Sequence, residues 1–526
     1  MTDLDRRSLL KAIAAASALG FLPEGAAQAQ AGLTLGGPEP FSFELLKEKA
    51  RLLAASPHQP PMRPAPDIVG KLTYEEWGKI TFNTDEALFA TGPGRFPVTF
   101  FHLGMFFAKS VDMLVVADGQ SREIVYDQSM FNIPPASPAQ QLPKGIGFAG
   151  FRVQEPRDGK PDWHKNDWAA FLGASYFRAI GQLFQYGQSA RGIAIDVAVA
   201  DRNEEFPDFT KFYIETPADG SDRMIVYALL DGPSVTGAYR FDMTRGAGVL
   251  MDIEHTLHLR KDVARLGVAP LTTMYWYSET AKDTGIDWRP EVHDSDGLSL
   301  WTGSGERLWR ALNNPDRTTA SAFADQSPKG FGTIQRDRVF DHYIDGVYYD
   351  KRPSVWVEPL GDWGKGSVQL VEIPTDDEIH DNVVAMWVPA EPATAGKSYA
   401  YKYRMHWLAE EPFPPPLGKC VATRLGRGGQ PGLPRPPHMR KFMVEFLGGP
   451  LDSLPFGVTP EPTVWTSRGE FGPYRLTEAV PDGVNGHWRT QFDLMVEGPD
   501  PVELRCTLRL GDRILTETWL FQYHPF

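Results

Sequence analysis

The sequence predicts an all-β protein built as a large N-terminal β-sandwich followed by a small C-terminal one. Three observations carry this expectation. Apolar or alternating segments recur between Gly, Pro, Asn and Asp turns, amphipathic helix is scarce, and one Pro/Gly-rich stretch divides the chain unequally. At 526 residues the chain is too long for one ordinary core, so two domains are expected.

In chain order, residues 1–29 read as a twin-arginine export signal. Arg6 and Arg7 precede a short apolar run from Leu9 to Leu22, and Ala27-Gln28-Ala29 suits signal peptidase. The mature protein is then expected in the periplasm, starting near Gln30. No later segment reaches the ~20 apolar residues of a membrane span, so no membrane insertion is expected after signal cleavage. The spacing of Leu45, Leu46, Ala50 and Leu53 predicts a helix over 44–56, ended by the Pro-rich "PHQPPMRPAP". A second short helix is expected over 167–181. Strands are expected at 223–230, 367–373, 382–388, 399–407, 442–448 and 517–524. The Pro/Gly-rich segment 409–437 reads as a linker or ordered crossover, separating a large domain over 33–408 from 438–526, whose roughly 90 residues suit a seven-strand immunoglobulin-like sandwich.

Composition narrows the function. The net charge of −14 argues against nucleic acid or anionic lipid, either of which needs a clustered basic surface. Aromatic residues make up 12% of the chain, which serves large β cores and also sugar rings that pack on exposed aromatic faces. Cys420 and Cys506 are the only cysteines; they exclude a cysteine-rich zinc site and leave open whether the two pair.

Two acid-bearing stretches hold the candidate chemistry. "RPEVHDSDGLSLW" at 289–301 places Asp294 and Asp296 beside His293, but the spacing fails the EF-hand pattern. No companion histidine stands at metal-ligand distance, so His293 reads as a core or loop-bridging residue and no metal or cofactor is expected. Between the strands at 367–373 and 382–388, a connection carries Asp376, Asp377, Glu378 and Asp381. Both stretches are compatible with solvated turns and with carboxylates presented at strand ends. Ser189 in "YGQSARG" lacks the nucleophile-elbow pattern, and "GPGR" and "GSGE" are turns rather than phosphate loops. Paired carboxylates are what glycoside hydrolysis requires, one to protonate the leaving oxygen and one to activate water or attack.

Several long motifs resemble one family. "RPEVHDSDGLSLWTGSGERLWRALNNP", "GDWGKGSVQLVEIPTDDEIHDNVVAMWVP", "GFAGFRV", "LGASYFRAIG", "YGQSARGIAID", "YALLDGPSVTGAYRF" and "RLGVAPLTTMYW" look like the periplasmic glucan biosynthesis proteins G and D (OpgG/OpgD, also MdoG/MdoD), across nearly the whole mature chain. HDSDG in place of HDSNG, with the arginine pair, looks more like the D member.

The resemblance implies a mutarotase-like large sandwich, an immunoglobulin-like small one, and a β-1,2-glucan polysaccharide as substrate. It implies the chemistry of inverting endo-β-1,2-glucanases of glycoside hydrolase family 186, or of related members that close a glucan ring by transfer. By the same resemblance Asp381 is the general acid and Glu378 a supporting carboxylate that helps to raise its pKa. Asp294 is the base-side residue, with Arg289 nearby to keep it ionised. Tyr349 of "YYDKRPS", Asp296, Arg289 and Trp363 are substrate or proton-relay contacts. Ile379-His380 departs from the family's usual "ETNDN", though Asp381 is kept. The competing readings are a non-catalytic glucan-binding accessory protein in glucan assembly and, more weakly, a mutarotase-like enzyme of free sugars. An acidic surface and an immunoglobulin-like domain permit a homodimer without specifying one.

Overall fold

The strand Val249–Leu259 shows how the sequence builds the larger sheet. Val249, Met251, Ile253, His255, Leu257 and Leu259 are buried, and every residue between them is half-buried, the period-2 signature of a strand with one face on a core. It pairs antiparallel with Val235–Arg245 on one side and Ser398–Leu408 on the other. In this computed structural model, which describes residues 33–282 and 285–526, that ladder belongs to a sixteen-stranded sheet. A ten-stranded sheet faces it, running from Thr319–Gln326 to Val98–Phe101. The expected signal segment at 1–29 lies outside the described residues.

The two sheets meet through aromatic side chains. Phe171 of the ten-stranded sheet packs edge-on against Phe212 and Phe241 of the larger one, with ring centroids 5.5 and 5.1 Å apart. These contacts make the fold an all-β sandwich. Much of the aromatic excess is therefore core.

The helix expected over 44–56 is present as Phe43–Ala54, capped by Ser42, whose hydroxyl accepts the Leu45 amide at 3.2 Å. It buries Leu46 and Ala50, while Leu45 stays exposed. The helix expected over 167–181 is absent. Asp167–Leu172 and Tyr176–Ala179 are strands of the ten-stranded sheet, joined by a turn in which Gly173 takes φ +80°. Residues 168–171 are buried in succession, as in a strand covered on both faces, and an apolar run of that length does not separate helix from strand by period.

The linker expectation at 409–437 is also corrected, because that segment contains the strand Lys419–Arg427. It pairs antiparallel with Met439–Leu447, so the C-terminal unit begins near 419 rather than 438. Proline and glycine crowd both ends of this strand and hide its pattern in the sequence. The C-terminal unit is also continuous with the large sandwich. Arg307–Ala311 pairs in parallel with Thr518–Tyr523, and Trp309 and Trp356 share a core with Phe442, Phe492 and Trp519. Cys420 and Cys506 are buried separate thiols. No helix among the described residues is long and apolar enough to cross a membrane.

Candidate active site

Strand pairing brings Asp294 and Asp381 together although 87 positions separate them (381 − 294). The strand Val383–Pro389 pairs with Leu266–Thr273, and Thr273 faces Val383. Just beyond, Asn382 accepts the Tyr275 amide at 2.8 Å and donates to the carbonyls of Tyr275 and Ile373, both at 2.9 Å. The Asp294 amide donates to the Met274 carbonyl at 2.8 Å. Two consecutive residues, Met274 and Tyr275, thus hold Asp294 on one side and the neighbour of Asp381 on the other.

Asp381 opens onto a cleft of about 770 Å³ whose walls include Trp77, Phe101, Tyr176, Tyr186, Arg152 and Arg178. Its carboxyl keeps surface toward the cleft while protein surrounds its other sides. Burial, and next the charge of Asp294, push Asp381 up to about 6, against the pull of Arg178, Arg191 and Arg352. Among the described residues no hydrogen bond reaches its carboxylate. Asp294 is buried and accepts Arg352 Nη1 at 2.5 Å. Burial raises its pKa as well, with Arg352 the strongest opposing influence.

Arg289 and Glu378 are elsewhere in the network than expected. Arg289 donates to Glu378 at 2.7 and 3.2 Å and to Asp287, so Arg352 takes the place beside Asp294 foreseen for Arg289. Glu378 also accepts the Tyr349 hydroxyl at 2.5 Å, and its pKa is lowered, first by the Arg289 bond. Its charge is compensated, and the cause of the raised Asp381 is burial and Asp294 instead. The Arg352 guanidinium lies 4.2 Å from the Tyr349 ring centre. A continuous set of contacts therefore runs Arg289–Glu378–Tyr349–Arg352–Asp294.

Of the expected site residues Asp381 is the one in the cleft wall; Asp294, Glu378, Tyr349 and Arg289 connect to one another through the contacts above, and two more belong to other parts of the fold. Asp296 accepts the backbone amides of Arg336 and Asp337, the latter at 2.8 Å. It anchors that chain segment. Trp363 is buried against Trp387, Tyr401 and Tyr403 and donates to the Lys402 carbonyl at 3.3 Å; it is a core residue. His293 is fully buried, 2.9 Å from Glu291 and 3.7 Å from Asp296. Burial opposes its charge, but the Glu291 hydrogen bond and the Asp296 charge prevail and hold it at about 9. Glu291, Asp337 and His342 bring potential metal-ligand atoms within 4.8 Å of one another, and neither Asp294 nor Asp381 belongs to that group.

Reading the sequence missed Arg352, Arg178 and Asn382 as site residues. Arg352 stands three positions after Tyr349, Arg178 lies in "LGASYFRAIG", and Asn382 follows Asp381 directly, so each was within a stretch already singled out. Chemically, the site joins a carboxylic acid titrating near neutrality to an arginine-bound carboxylate in a cleft of aromatic and charged walls. That arrangement suits general acid/base chemistry on a polar ligand.

The chain matches the family model described as "Periplasmic glucan biosynthesis protein, MdoG" over residues 41–523. Glucans biosynthesis protein D 2 of Ralstonia nicotianae is 61% identical over 99% of this chain and 98% of its own. Glucans biosynthesis protein D of Stenotrophomonas maltophilia is 48% identical over 97% and 95%, and that of Xanthomonas campestris 45% over 99% and 98%. A polysaccharide lyase structure overlaps 71% of this chain and 44% of its own at 10% identity and a TM-score of 0.17, too low to bear on the fold. With a family match over nearly all of its described length and D proteins as its relatives, the chain belongs to the MdoG family of periplasmic glucan biosynthesis proteins, on the side of the D member.

Proposed function

We propose that the protein cleaves or transfers β-1,2-glucan chains by anomer-inverting acid/base catalysis, as in glycoside hydrolase family 186, after export by the twin-arginine route. The observation that carries this reading is Asp381: an acid held at about 6, facing the cleft with no hydrogen bond to its carboxylate among the described residues, beside an Asp294 bound to Arg352. Two like charges this close resist joint ionisation, so the pair retains a proton to a higher pH than either acid would alone. Arg352 stabilises the anion on Asp294, which leaves the proton on Asp381.

In the proposed reaction Asp381 protonates the departing glycosidic oxygen as the bond to the anomeric carbon breaks. Water, or a hydroxyl of the same glucan, attacks from the opposite face and gives its proton to the Asp294 side. Tyr349, hydrogen-bonded to Glu378 and stacked with Arg352, is positioned to pass that proton or to fix Arg352. Attack by water gives hydrolysis, and attack by the chain's own hydroxyl gives a ring.

The test is incubation of the purified protein with linear β-1,2-glucan. Product mass separates the outcomes, because each hydrolysis adds one water and ring closure adds none, and NMR of the new reducing end reports inversion. Saturable binding with no change in chain length would favour an accessory glucan-binding role.

A further inference from the structure

We propose that the groove between the large sandwich and the C-terminal strands is a second carbohydrate site, holding the part of a long β-linked glucan that extends beyond the Asp381 cleft. This rests on the glucan reading above and adds a place for the chain to go.

The groove, of about 1040 Å³, is larger than the cleft and has walls from both units. Trp276 and Phe526 supply aromatic surface, and Asn313, Asp316 and Asp376 supply amide and carboxylate groups. A pyranose ring offers the complementary pair of surfaces, axial C–H groups for an aromatic face and equatorial hydroxyls for amides and carboxylates. Among the described residues no lysine or arginine lines the groove. Its one imidazole, His524, is held down at about 4 by burial and then by Arg310, so it is neutral at neutral pH. The nearby arginines, Arg310 and Arg317 beside His524 and Arg440 over the Phe526 ring, are not among the wall residues while Asp316 and Asp376 are, which favours a neutral polyol over an anionic ligand. His524 Nε2, on a wall residue, is buried without a hydrogen-bond partner among the described residues. An unsatisfied group of this kind points to a ligand that brings a hydroxyl.

The groove is also joined to the catalytic cleft by one short connection. Pro374, Thr375 and Asp376 line the groove, and Asp381, at the end of the same connection, lines the cleft. Asn314 fastens the groove end, accepting the Thr375 amide at 2.9 Å and donating to the carbonyls of Thr375 and Trp276 at 2.7 and 3.0 Å. Trp288, 70% exposed, has its ring 5.7 Å from Arg289, the partner of Glu378 on that connection, and so offers an exposed aromatic face near it.

The experiment uses the full-length protein carrying Asp381→Asn, so that bound glucan is not turned over. Calorimetry compares a linear β-1,2-glucan short enough to fill the cleft alone with one several times longer. Adding Trp276→Ala is expected to weaken the long glucan by about tenfold and leave the short one unchanged. Asp376→Ala, at an exposed position that does not threaten folding, is expected to weaken the long glucan by about threefold with the same selectivity. Unchanged affinity for the long glucan in both variants overturns the second site, as does equal weakening of both glucans. Trp276→Ala altering self-association instead of glucan affinity assigns the groove to a second copy of the chain and also overturns it. If neither glucan binds even without the groove substitutions, the substrate reading itself fails and this site falls with it.

Discussion

Two sets of carboxylates in this molecule, one buried at a seam and one at the cleft where Asp294 is buried and Asp381 exposed, have opposite surroundings. Where the large sheet runs into the C-terminal strands, Glu372 accepts Arg310 and the Asn313 amide, Glu411 accepts Arg307 and Ser299, and Glu517 accepts Arg336 and the Cys420 amide. Asp294, near the cleft, accepts one side chain, Arg352, and Asp381, in the cleft wall, accepts none among the described residues. Desolvation by surrounding protein does not separate the sets, since it raises Glu372 and Glu411 as it raises Asp294 and Asp381. The number of donors does. At the seam the fold supplies partners, and at the cleft it leaves lone pairs free, a cost to stability that goes with chemistry.

The comparison breaks first at Asp381. Asp381→Asn is expected to lower turnover of linear glucan by roughly 10²- to 10⁴-fold and to leave the protein at least as stable, read by initial rates and thermal melts; a destabilised, active variant would place Asp381 with the seam carboxylates. Glu517→Ala should do the reverse, costing about 3 kcal/mol in urea unfolding because the largely buried Arg336 loses its direct partner and keeps only Glu411, 3.8 Å away, as a carboxylate neighbour. Glu378→Gln weakens the hold on Arg289 and Tyr349, and turnover should fall roughly 10- to 100-fold with glucan affinity little changed.

Smaller effects come from pH. His293 is held at about 9, above the 6.5 of a free imidazole. The stability it contributes is therefore fully present below pH 6.5 and lost as pH rises through about 9, by on the order of 1–3 kcal/mol. His293→Gln should flatten that loss in denaturant titrations. Asp381 also has a raised value, and the consequence has the same sign. Its folded value of about 6 lies above the ordinary 3.8, so between these values the folded state keeps a proton that the unfolded state has released. Stability falls as pH rises through that window, and Asp381→Asn should remove the fall.

Strands such as 367–373 and 399–407 were legible because burial alternates along them or Gly, Pro and Asp turns bound them. The hairpin at 167–181 was not, since an apolar run buried on both faces looks the same in a helix. Nor was the strand Lys419–Arg427, whose short pattern sits between proline clusters. Asp294 and Asp381 were legible as acids within long family motifs. Their neighbours were harder to assign. Arg289 and Arg352 carry the same charge, and although Arg289 is much the nearer to Asp294 along the chain, only the fold decides that Arg352 faces Asp294 while Arg289 faces Glu378. Trp363 had an aromatic side chain and a glycine-rich setting consistent with a sugar contact, yet the sheet turns it into the core.

The central claim is that Asp381 delivers the proton to the leaving oxygen, and an activated substrate tests it most directly. A β-1,2-gluco-oligosaccharide carrying a dinitrophenyl leaving group needs no proton to depart. If Asp381 is the acid, Asp381→Asn is nearly inert on natural glucan and releases dinitrophenolate at close to the rate of the unsubstituted protein. Equal loss on both substrates, or full activity on natural glucan, would contradict that role.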